Sequence, residues 1–74
     1  MYIHEAATKA FEDGKYITRR PSDPETCWAY TKLEPTNGVE CVIVHNSKFR
    51  HQAPTPRWQP RAEDLIAGDW EVVD

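Results

Sequence analysis

Three tryptophans, two adjacent arginines and two aspartates are the residues of this chain best equipped to recognise a ligand. Trp58 follows Arg57 and precedes Gln59-Pro60 at the exit of an irregular stretch. A partly exposed indole there can stack on a nucleobase, an interaction worth about 1–3 kcal/mol per base. It can equally pack into the core or an interface, since aromatics dominate small cores. Trp28 lies just beyond the Pro21–Pro24 segment and carries the same two readings, whereas Trp70, alternating with Val72, reads as core. Arg19 and Arg20 are neighbours on a predicted strand, so they point to opposite faces and one of them at most aims at a given pocket. A guanidinium binds phosphate through paired hydrogen bonds; the alternative is an ordinary solvated strand end. Asp64 and Asp69 suit either backbone capping or acceptance of hydrogen bonds from ribose hydroxyls. Lys48, Arg50 and Arg57 add a local positive field along the stretch from Asn46 to Arg57.

Catalytic patterns are missing from this inventory. Cys27 and Cys41 form no C-x-x-C pair, and His4, His45 and His51 are too scattered to complete a four-ligand zinc site with them. The sequence has no Gly-rich phosphate cradle, no serine elbow and no H-E-x-x-H. Glu63 and Asp64 are adjacent, so their side chains diverge instead of facing one substrate. The expectation is a binding protein, not an enzyme, with no cofactor and no metal.

A chain of 74 residues is one small domain. Such a domain buries only about 60% of its unfolded surface, which makes self-association a common remedy. The formal net charge of −3 argues against a nucleic-acid polymer as partner. No apolar run approaches the roughly 18 residues that span a bilayer, and no signal peptide opens the chain. We therefore expect a cytoplasmic protein with reduced cysteines and no membrane association.

The elements that must position these residues follow from periodicity. Ile3, Ala6, Ala7, Ala10 and Phe11 form one apolar stripe on a helix from about residue 3 to 13, ended by Gly14. Tyr16–Arg20 reads as a first strand, stopped by Pro21 and Pro24, and Cys27–Leu33 as a second. Asn37-Gly38 signals a hairpin into a third strand, Val39–Val44, whose run Cys41–Val44 suggests burial on both faces and contact with a second subunit. Pro60 can open a helical turn with Glu63 and Asp64 in its first turn, and Gly68 can end it in the left-handed conformation. Residues 69–73 then form a last strand. The plan is α+β: an N-terminal helix packed on a small, mainly antiparallel sheet of four to five strands.

The closing segment, Trp58-x-Pro-x-x-x-Asp-Leu-x-Ala-x-Asp-Trp-Glu-Val-Val73, resembles the end of the Thoeris anti-defence proteins of the second type, small phage and prophage proteins. The front agrees: Tyr2 and Glu5-Ala6, then Asp13-Gly-Lys-Tyr-Ile-Thr-Arg-Arg20, is similar to that family's opening helix and basic first strand. Relatives carry an aromatic soon after that strand; here Pro21-Ser-Asp-Pro follows, and Trp28 is the substitute. The resemblance implies a homo-oligomer, typically a tetramer, that sequesters a cyclic nucleotide immune signal without cleaving it. The signal would be a cyclic ADP-ribose type or a cyclic dinucleotide, held in the bacterial host cell. Arg19, Arg20, Trp28, Trp58, Asp64 and Asp69 are then the candidate ligand-binding residues. The alternative is a phage-encoded adaptor that binds a host protein.

Overall fold

In a computed structural model, residues 1–21, 28, 30–46 and 54–74 are described. Their order is α1 (Ile3–Asp13), β1 (Tyr16–Arg19), β2 (Thr31–Pro35), β3 (Val42–Asn46), α2 (Ala62–Ile66) and β4 (Trp70–Val73). Cys27, where the second strand was expected to start, and Lys48, Arg50 and His51 lie outside the described residues.

The helix forms where the apolar stripe predicts it. Glu5 accepts a hydrogen bond from the Tyr2 backbone N–H at 3.0 Å, satisfying a donor left free by the first turn. Gly14 ends the helix in the left-handed region (φ 66), its N–H bonded to the Ala10 carbonyl. Ala6 and Ala10 are fully buried, and Ile3 and Ala7 pack beside them, so the shallow stripe brings the helix backbone close to the sheet. Phe11, expected on that stripe, is exposed at its far end.

The sheet is antiparallel in the order β3-β2-β1-β4. Register fixes which residues share a face. Ile17 opposes Leu33 and Val72, Leu33 opposes Val44, and Arg19 opposes Trp70. These side chains lie on the helix-covered face, with Leu33 and Trp70 the largest fully buried residues. The opposite face carries Tyr16, Thr18, Lys32, Glu34, Ile43, His45 and Val73 by alternation.

Strands two and three both begin later than expected. Pro35, read as a loop residue, is the last residue of β2, paired with Val42 at the strand end, where a missing N–H is tolerated. The hairpin loop is consequently longer than an Asn-Gly turn. Thr36 accepts from the Gly38 N–H at 3.1 Å and donates to the Cys41 carbonyl at 2.7 Å, and Cys41 takes the left-handed conformation (φ 57). The two-sided burial expected of Cys41–Val44 resolves into exposed Cys41, core-facing Val42 and Val44, and Ile43 half-buried on the other face. Beyond β3, Thr55 exchanges both backbone bonds with Val44, and the Trp58 N–H donates to the Val42 carbonyl. Residues 55–58 thereby cover the outer edge of β3, part of the stretch expected to be irregular.

The α2 turn starts two residues after Pro60, and it ends at Ala67 in extended conformation; Gly68 is not left-handed. Among the described residues no helix is long and apolar enough to cross a membrane.

The two glycines therefore predict opposite outcomes. Gly14→Ala should destabilise by about 1–2 kcal/mol, the cost of a Cβ in the left-handed region, although the space around it is open. Gly68→Ala meets only the Tyr2 ring at 3.6 Å, an ordinary contact. It should be neutral or stabilise by about 0.4–1 kcal/mol through the unfolded chain. Urea midpoints of the two variants check this; equal losses would contradict it.

Candidate functional site

Two neighbouring arginines at the end of β1 lead to two different places. Arg19 faces the covered side and is locked between two carboxylates. Its Nε and Nη2 donate to the two oxygens of Asp69 at 2.8 and 3.1 Å, and Nη1 donates to Asp64 Oδ1 at 3.0 Å. The second Asp64 oxygen accepts from the Arg61 backbone N–H at 3.0 Å, capping α2. The Asp64 carbonyl in turn accepts from the Trp70 indole N–H at 2.8 Å. Arg19 and Asp64 are nearly buried, with side-chain exposures of 14% and 9%. The hydrogen bond from Arg19 pulls the Asp69 carboxyl below its ordinary value, and the bond to Asp69 in return raises the Arg19 guanidinium. Three of the six sequence-predicted site residues thus meet one another, joining β1, α2 and β4.

The tryptophans form a second cluster. Trp28, Trp58 and Trp70 meet edge to face, with centroids 5.1 Å apart for Trp28–Trp70, 5.9 Å for Trp58–Trp70 and 6.2 Å for Trp28–Trp58. This geometry suits ring quadrupoles. Trp70 is core, as alternation predicts, and Trp28 is buried in the same cluster. Trp58 is partly buried against the core cluster.

Arg20 and Trp28 line a separate space. An open cleft of about 390 Å³ is bordered by Thr18, Arg20, Trp28, Tyr30, Lys32 and His45, together with Thr31, Asn46 and Val73. Most of these belong to the sheet face opposite α1. Thr18 is buried, its hydroxyl donating to the Thr31 carbonyl at 2.7 Å, so the cleft floor is fixed. Arg20 pairs with Glu71 at 2.5 Å on the surface. Lys32 sits 4.0 Å above the Tyr16 ring centroid, and His45 meets that ring edge-on at 5.2 Å. An aromatic wall and two cations here fit a flat base carrying a phosphate.

Tyr30, Lys32 and His45 were not anticipated as site residues. Their signal is the alternation around Leu33: once Leu33 and Val44 face the core, Lys32 and His45 must share the other face. Among the described residues no three His, Cys, Asp or Glu side chains assemble as a metal site.

The Arg19 cluster predicts acid sensitivity. Because the folded-state value of Asp69 is depressed, its contribution is fully present above the unfolded carboxylate value of about 3.9 and is lost as pH falls through the folded value. Asp69→Asn should cost about 1.5–3 kcal/mol at neutral pH. In urea unfolding, the gap to the parent should close below about pH 4. Asp64→Ala should cost about 3 kcal/mol or more, because it strips both the Arg19 pair and the α2 cap. A gap that stays constant down to acid pH would show that the Asp69 charge contributes nothing.

The sequence model of the Thoeris anti-defense 2-like domain matches residues 1–73. No curated protein and no solved structure gives a significant match. The match takes in both the Arg19–Asp64–Asp69 cluster and the residues around the cleft, and it covers all but the last residue of the chain. This chain belongs to the Thoeris anti-defense 2-like family.

Proposed function

We propose that this protein binds a cyclic nucleotide immune signal, of cyclic ADP-ribose or cyclic dinucleotide type, and sequesters it intact in the cytoplasm of the bacterial host. The observation that carries this reading is the cleft in which Trp28 and Tyr30 stand beside Arg20 and Lys32. Membership of the Thoeris anti-defense 2-like family supplies the biological setting. Of the six candidate residues, Arg20 and Trp28 line the cleft directly. Arg19, Asp64 and Asp69 support it from the other face by fixing the end of β1. Trp58 buttresses the Trp28 ring.

Sequestration needs a site that holds without activating water or a nucleophile. The exposed Cys41 thiol hydrogen-bonds to the Val39 carbonyl at 3.9 Å in the hairpin loop, and it is not among the residues that border the cleft. Nucleotide recovered by heating the purified protein should therefore have unchanged mass; a hydrolysed product accumulating with time would rule the reading out. Tyr30→Ala should weaken nucleotide binding by about 1–3 kcal/mol if the ring stacks on a base. Calorimetry on a folded variant reads this, and unaltered affinity would place the base elsewhere.

The same reading has the protein acting as a homo-oligomer, a tetramer in the simplest form. Val42 and Val44 face the core and the β3 edge is covered, so Ile43 on the open face is the residue to test. Ile43→Asp should lower the mass seen by light scattering while circular dichroism stays normal. An unchanged mass would move the contact away from β3, and a monomeric parent would remove self-association altogether.

A further inference from the structure

On the open sheet face, Lys32 of β2 and His45 of β3 are direct register partners, and both border the cleft. Tyr16 of β1 organises the two. Its ring carries the Lys32 ammonium 4.0 Å from the centroid and meets the His45 ring edge-on at 5.2 Å. Glu34 of β2 closes the group, with an oxygen 2.9 Å from His45 Nε2. Other cations near the cleft are differently placed. Arg19 is paired with two aspartates on the covered face, and Arg20 is paired with Glu71. Lys32 contacts the π face of Tyr16, which leaves the ammonium able to donate to a phosphate oxygen, and it also donates to the main-chain oxygen of Asp74 at 3.1 Å.

Resting on the nucleotide reading of the same cleft, we infer that Lys32 and His45 form its phosphate subsite, with Tyr16 as the platform and Glu34 as the opposing charge. Glu34, bonded to His45, tempers the positive charge that Lys32 presents to the cleft.

Inorganic pyrophosphate is a suitable probe, followed by the NMR signals of the His45 ring and the Lys32 ε-methylene. Pyrophosphate should shift both. Lys32→Gln should weaken it about tenfold. His45→Gln should weaken it severalfold. Glu34→Gln should tighten binding, a gain that misfolding cannot mimic. Absence of shifts at His45, or Lys32→Gln and Glu34→Gln variants that bind like the parent, would overturn the subsite. Cyclic diadenylate and cyclic ADP-ribose separate this inference from the nucleotide reading. Pyrophosphate binding without binding of either nucleotide would leave the subsite standing and defeat the nucleotide reading. Nucleotide binding indifferent to Lys32 and His45 would do the reverse.

Discussion

A single guanidinium holds the ends of this small domain together. Arg19 spends all of its bonded nitrogens on carboxylates that lie 45 and 50 residues further along the chain. The consequences propagate from there. Asp64, fixed by Arg19, can cap α2 with its other oxygen and place its carbonyl under the Trp70 indole. Asp69, fixed by the same guanidinium, sets β4 against β1, and the Arg20 N–H bonds to the Asp69 carbonyl at 3.0 Å. Among the described residues a core of six buried apolar side chains offers little redundancy, so a charge cluster that orients several elements at once replaces packing that a larger domain would have. Its partial burial requires complete pairing, because a lone charge left in that position would be costly.

The cluster also determines what remains available on the other face. Strand alternation sends Arg19 and Arg20 to opposite sides. With Arg19 absorbed into the scaffold, Arg20 borders the cleft, and the buried Thr18 between Ile17 and Arg19 ties the floor to the Thr31 carbonyl. The face away from α1 is left polar and half-covered, with Tyr16, Lys32, Glu34 and His45 arranged by register across three strands. Rigidity on one side and accessible chemistry on the other arise from the same four residues of β1.

How much of this was legible depended on the range of the interactions. The helix was readable to the residue because its stripe and its terminal glycine are local signals, and so was the core position of Trp70. The opposite orientations of the two arginines also followed from the strand alone. Strand limits were less legible, since Pro35 pairs with Val42 at the end of β2 and Cys41 takes a left-handed conformation in the hairpin loop, neither of which a local pattern announces. The family motif pointed to Asp64 and Asp69 without saying that their partner is Arg19, because that contact depends on how β1 and β4 pair. The cleft was the least visible feature. Lys32, Tyr30 and His45 carry no motif, and they acquire a common direction only once Leu33 and Val44 are known to face inward.

The charge distribution reconciles an acidic chain with the anionic ligand proposed for it. A formal net charge of −3 gives no long-range attraction for a nucleotide, and at physiological ionic strength such fields fade within about 8 Å. The affinity proposed here would come from short-range geometry: a cation held against an aromatic ring, beside a second ring that can stack. Lys32 over Tyr16, next to the exposed Tyr30, meets that description. An acidic exterior would disfavour nucleic-acid polymers, whose binding rests on many exposed cations at once. It would disfavour a small cyclic ligand far less, since that ligand needs one or two well-placed cations. The same composition that argues against a polymer partner is therefore compatible with a selective small-molecule trap.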